Sequence, residues 1–84
     1  MSSNEFDNAV KLVKMVDIDN EDNLLMLYGL YKQALQGDCQ DFHPFPLICK
    51  TKRYDRWSAW NKNKGMSRED AMKNYVKQVY KLIE

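Results

Sequence analysis

Apolar residues recur three and four positions apart in three separate stretches of this chain, a period that fits one face of an α-helix and does not fit a strand. Phe6, Ala9, Val10, Val13 and Val16 form the first stripe. Leu24, Leu27, Tyr28, Tyr31, Ala34 and Leu35 form the second, and Met72, Tyr75, Val76, Val79, Leu82 and Ile83 the third. Helix boundaries fit these stripes. Small polar residues from Ser2 to Asn4 can accept orphan backbone N–H groups, and Glu5 suits the positive end of a helix. Asp17 to Asn20 reads as a break, Glu21 and Asp22 as a new start, and Gly37 as the left-handed stop of the second helix. From Asp38 to about Thr51 the period fails. Pro44 and Pro46 oppose a helix there, while Phe42, Phe45, Leu47 and Ile48 oppose a purely solvated linker, so a long loop that packs on something is expected. A short third helix follows from about Lys52 to Lys62, with Trp57 and Trp60 one turn apart and Gly65 placed to end it. Ser67-Arg68-Glu69-Asp70 resembles a capping box at the start of the last helix. The fold class is all-α, and 84 residues suit one domain over 1–84 with a modest core.

With 13 basic and 12 acidic side chains, the net charge is +1, which argues against a strongly cationic nucleic-acid or membrane binder. Any anion site must then be a local arrangement. Glu5, Asp7 and Asp17 interrupt the apolar runs near the start, so no signal peptide is read, and no stretch approaches the length of a membrane span. A cytoplasmic protein without stable membrane insertion is expected. Cys39 and Cys49 do not make a disulfide framework and are read as reduced thiols.

The chemical inventory is thin. There is one histidine, His43, no local nucleophile signature and no glycine-rich phosphate loop, so no catalytic residue is assigned. Cys39, His43 and Cys49 match no usual zinc spacing, and neither a metal nor a cofactor is expected. Two clusters are ambiguous. Lys50-Thr51-Lys52-Arg53-Tyr54-Asp55-Arg56-Trp57 gathers four cations around two aromatics, which can grip phosphate and stack on a base, or else form a solvated face over structural tryptophans. Tyr28, Tyr31 and Lys32 share one side of the second helix with Leu25, which suits a nucleotide or simply the rim of an amphipathic helix.

Leu27-Tyr28-Gly29-Leu30-Tyr31-Lys32-Gln33-Ala34-Leu35-Gln36-Gly37-Asp38 closely resembles the signature of the acyl-CoA-binding protein family. Arg56-Trp57-Ser58-Ala59-Trp60-Asn61 resembles that family's basic-Trp-x-Ala-Trp segment, and Lys64-Gly65-Met66-Ser67-Arg68-Glu69-Asp70-Ala71 with Tyr75 and Val76 is similar to its last helix. Phe6-Asp7 and Ala9 fit its beginning, so the resemblance covers essentially the whole chain. It implies a four-helix, up-down-down-up bundle that holds medium- to long-chain fatty acyl-CoA, working as a monomeric intracellular carrier and pool former and not as an enzyme. By the same resemblance Tyr28 would contact the adenine, Tyr31 and Lys32 the head group and its 3′-phosphate, Arg56 a phosphate, and Tyr75 the head group from the last helix. Val10, Leu24 and Leu25 match positions along the acyl path. Lys32 and Tyr75 are read as rim groups, and Trp57 and Trp60 as mainly structural.

Three departures from the family pattern stand out. The turn from Asp17 to Asn20 is one residue shorter than is common and lacks a proline, the segment between Pro44 and Trp57 is two residues longer than usual, with Pro44-Phe45-Pro46 in place of Pro-Gly, and the chain stops a few residues early at Glu84. The rival readings are a small helical nucleic-acid-binding module using residues 50–56, and a thioesterase. Near-zero net charge opposes the first and the lack of a nucleophile–base pair the second.

Overall fold

A computed structural model describes residues 3–18, 20–39 and 52–83. The expected packing loop with His43, Pro44, Pro46, Cys49 and Lys50 lies outside the described residues, as do the side chains of Lys52 and Arg53.

The described residues form four helices: α1 (Ser3–Met15), α2 (Glu21–Gln36), α3 (Lys52–Asn61) and α4 (Arg68–Ile83). Each end has a local cause. Asn20 caps α2, its side-chain oxygen accepting the Asn23 N–H at 3.0 Å, with Glu21 and Asp22 in the first turn against the helix dipole. The stop is Gly37 at φ 79°, whose N–H donates to the Gln33 carbonyl. Gly65, at φ 93°, takes the matching role after α3, because a side chain would strain that left-handed turn. Ser67 then caps α4 by accepting the Asp70 N–H at 3.0 Å, which realises the expected cap.

Cross-helix pairs define the topology. Phe6 faces Tyr31 while Val10 and Val13 face Leu24 and Leu27, so α1 and α2 run antiparallel. Gly29 meets Ala59, and further along both helices Trp60 reaches Gly37, so α3 runs parallel to α2. Arg68 sits by Ala34 and Leu35, and Tyr75 by Tyr31, so α4 opposes α2. The result is the expected up-down-down-up bundle. Helix α2 packs on α3 and α4, whereas α1 packs on α4; this leaves a groove between α1 and α2.

Phe6, Ala9, Leu27, Leu30, Ala34, Ala71, Tyr75, Val76 and Val79 make the core. The expected stripes needed three amendments in α2: Leu30, left out of the stripe, is buried, and Leu24 and Leu35, placed on it, are 43% and 40% exposed. A helix packed on two neighbours has a broad apolar arc, so a single stripe misplaces its edges.

The α2–α3 crossing depends on Gly29. A methyl group there would run into the Ala59 carbonyl, with its carbon only 2.7 Å away. At the other end of the seam, fully buried Gln33 donates from Nε2 to Asp38 Oδ1 (2.9 Å) and to the Met66 carbonyl (2.7 Å), and the same carboxylate oxygen accepts the Gly65 N–H at 2.8 Å. This ties the end of α2 to the turn before α4. Arg68 adds Nε and Nη2 bonds to the Ala34 and Leu35 carbonyls, satisfying acceptors that a helix end leaves unpaired.

Candidate ligand-binding site

Two depressions share α2 as a wall. The first is the α1–α2 groove of about 250 Å³, lined by Val10, Val13, Lys14, Leu24, Leu27, Tyr28, Tyr31 and Tyr75. Tyr75 forms its base. Its ring meets Phe6 edge-on at 5.1 Å between centroids and lies 6.2 Å from Tyr31. Burial, with a smaller contribution from Tyr31, raises the Tyr75 phenol above its ordinary value of 10.0, so it stays a neutral hydrogen-bond donor at neutral pH.

The second depression follows the α2–α3 seam. One part, about 280 Å³, is lined by Glu21, Leu24, Leu25, Tyr28, Asp55 and Arg56. The adjoining part, about 470 Å³, shares Leu25 and Asp55 and adds Asp22, Met26, Ser58, Ala59, Lys62 and Asn63. Leu24 and Tyr28 belong to both the groove and the seam, so the two depressions meet there.

This arrangement brings some of the expected site residues together and separates others. Tyr28, Tyr31 and Tyr75 converge on the groove, and Arg56 joins Tyr28 across the seam. Lys32 lies one turn beyond Tyr28, with its ammonium 5.0 Å from the centre of the Trp60 ring. The three residues expected along one acyl path divide: Val10 lines the groove, Leu25 the seam, and only Leu24 touches both. Tyr75 is a correction. It was expected at the rim, yet it is 4% exposed and belongs to the core, because the last helix's apolar stripe turns it inward beneath Phe6. Of the tryptophans, Trp60 is buried at 4% exposure and Trp57 is half-buried, its ring 5.9 Å from Tyr54.

Lys14 was missed at the sequence level. It stands one helical turn after Val10, on the same side of α1, and so brings a cation to the groove that Val10 lines. Asp55 and Glu21 were likewise not foreseen at the seam; their acidity sets a boundary on where a phosphate can lie.

An aromatic groove and a seam that mixes Leu24, Leu25 and Met26 with charged side chains meet on one helix; with Lys14, Lys32, Arg56 and Lys62 around them, they define a small helical binding protein for an anion that carries an apolar part. The chain matches the family described as "Acyl CoA binding protein" over residues 3–79 and belongs to that family. It is 40% identical over 84 residues to the diazepam-binding inhibitor-like 5 of Rattus norvegicus, spanning 98% of this chain and 93% of that protein. Among solved structures, it resembles the crystal structure of Oryza sativa acyl-CoA-binding protein 2 at 34% identity and a TM-score of 0.87, over 96% of this chain and 89% of that one. The crystal structure of the Moniliophthora perniciosa protein of the same family gives 30% identity and a TM-score of 0.88, over 99% and 81%. Nothing in the fold or these comparisons supports the nucleic-acid-binding alternative. No described helix is long and apolar enough to cross a membrane.

Proposed function

We propose that residues 1–84 act as one domain that binds medium- to long-chain fatty acyl-CoA as a monomeric carrier and pool former in the cytoplasm, without catalysing a reaction, using a cofactor or inserting stably in a membrane. The observation that carries this reading is the meeting of the groove and the seam at Leu24 and Tyr28, because an acyl-CoA is likewise an aromatic nucleotide joined to an apolar chain.

The division of labour follows from size and lining. The groove is too small for a long chain and a head group together, but its tyrosines present flat faces to a purine, and Lys14 offers a charge at its edge. Tyr28 stacks on the adenine, Tyr31 and Tyr75 donate to the head group, and Lys32 and Arg56 take phosphates from the seam side. The larger part of the seam falls within the roughly 300–1,000 Å³ common for ligand pockets, Leu25 and Met26 give it an apolar wall, and Leu24 extends that wall into the smaller part. Leu24 and Leu25 therefore carry the chain, whereas Val10 packs against the nucleotide. Charge fixes orientation and encounter rate; methylene burial contributes about 0.8 kcal/mol per group before ordering losses.

Titration calorimetry with coenzyme A, a series of acyl-CoA lengths and a free fatty acid tests this function. Affinity should rise with enclosed chain length and fall for the free acid, which lacks the phosphates. Equal affinities for coenzyme A and a long-chain ester would remove the enclosed chain from the reading, and release of free thiol during incubation would make the protein a thioesterase. Val10→Trp should weaken coenzyme A and its esters alike, whereas Leu25→Trp should weaken the esters selectively; the reverse pattern would place the chain in the groove.

A further inference from the structure

Trp60 combines the hydrogen bond that a buried indole requires with a cation over its ring face, which core packing does not require. Its indole Nε1–H donates to the Gly37 carbonyl at 2.9 Å, and its face lies 5.0 Å from the Lys32 ammonium. The hydrogen-bond partner is itself held. Gly37 donates its own N–H to the Gln33 carbonyl, and the next residue, Asp38, is bonded to both Gln33 and Gly65. One end of the indole is therefore fixed to the tied end of α2, and its ring has little freedom to turn.

We propose that Trp60 is a positioning residue for head-group recognition: its anchored ring face holds the Lys32 ammonium on the α2–α3 seam, one turn from Tyr28 and beside the helix that carries Arg56, where it meets the ligand's 3′-phosphate. The inference rests on the acyl-CoA reading of this site. A lysine ordinarily loses much rotamer freedom when it binds an anion, and a cation held over a ring face has already lost part of it. A cation–π contact also leaves ammonium hydrogens free for a phosphate oxygen, whereas a carboxylate partner would compete with it. Lys32 takes part in no ion pair among the described residues; Lys73 with Glu69 is the pair formed there. Arg56 stands one turn before Trp60 on α3, as Tyr28 stands one turn before Lys32 on α2, so the parallel run of these helices sets the two cations on neighbouring levels of one seam.

The test compares an acyl-CoA with its 3′-dephospho analogue by calorimetry on the wild type, Trp60→Phe and Trp60→Leu. Leucine keeps an apolar filling but removes the ring face. The preference for the phosphorylated ligand should fall by about three- to tenfold in Trp60→Leu, with affinity for the dephospho ligand within about twofold of wild type. Trp60→Phe, which keeps a ring but lacks the anchoring N–H, should fall between. In the wild type, acyl-CoA should shift the Trp60 indole N–H resonance distinctly more than the dephospho analogue does, and this measurement decides the matter if the leucine variant does not fold. If the wild type binds both ligands equally, Lys32 does not meet the phosphate, and the head-group reading fails together with this one. If the wild type discriminates, and either Trp60→Leu discriminates as well or the indole responds alike to both ligands, the role of Trp60 alone is overturned.

Discussion

Tyr75 is at once a core residue and a site residue, and its two parts separate these roles. The ring is buried against Phe6 and Tyr31 while the residue lines the groove floor. Removing the ring in Tyr75→Ala should cost on the order of 3 to 5 kcal/mol of stability, as for other large aromatic truncations, which a denaturant melt would measure. Tyr75→Phe keeps that packing and removes only the hydroxyl; it should leave the melt nearly unchanged and weaken acyl-CoA binding. Unchanged binding in the phenylalanine variant would confine Tyr75 to the core. The three-and-four spacing put Tyr75 on the apolar stripe of the last helix, yet the residue was read as a rim group, because periodicity reports a direction and not a depth. Gln33 was less legible still. A fully buried amide among apolar neighbours has no periodic signature, and one of its bonds, to Met66, spans 33 residues and is assembled only in the folded chain.

At the scale of the element, α2 carries most of the architecture and Gly29 sets how closely α3 can approach it. On an isolated helix, Gly29→Ala would gain about 1 kcal/mol from propensity. Here the added methyl meets the Ala59 backbone, which cannot move aside as a flexible side chain would, so the substitution should instead destabilise the protein. It should also spread the seam that holds Leu25 and Arg56, so the loss should appear both in a thermal melt and in acyl-CoA affinity. A stabilised variant with intact binding would mean that the α2–α3 approach is not tight. The helix limits at Gly37, Gly65 and Ser67 were readable because these residues act on their immediate neighbours, whereas Asn20 was read only as part of a break and its capping bond came with the structure. Which turns of α2 and α3 touch was not, since a glycine at a crossing looks in sequence like any other helical glycine.

For the molecule as a whole, two groups among the described residues tie stability to pH. Asp38 accepts hydrogen bonds from Gly65 and Gln33, and its carboxyl is held below the ordinary 3.8; Gly65 contributes most, then Gln33, with burial opposing them and Lys64 adding a favourable charge. The unfolded chain therefore takes up this proton first, and Asp38's contribution is full above about pH 4 and lost as pH falls through the folded value. Tyr75 works at the other end. Its raised value means that the unfolded chain releases the phenolic proton first, so stability declines as pH climbs from about 10 through the folded value. Melts across pH should show both shoulders, with Asp38→Asn flattening the acid one and Tyr75→Phe the alkaline one.

Leu24 and Tyr28 stand in both the groove and the seam, and this shared wall has a thermodynamic consequence. A side chain common to two compartments cannot take a rotamer that suits one without setting the shape of the other. Occupying either compartment thus changes the free energy of filling its neighbour, and linkage requires that change to be identical in both directions. Coenzyme A and a fatty acid, supplied as separate molecules, should not bind independently: whatever factor the acid imposes on coenzyme A affinity, coenzyme A must impose on the acid. A unit factor in paired titrations would show that the halves of the ligand communicate only through their thioester bond, and any other value measures how strongly α2 couples them.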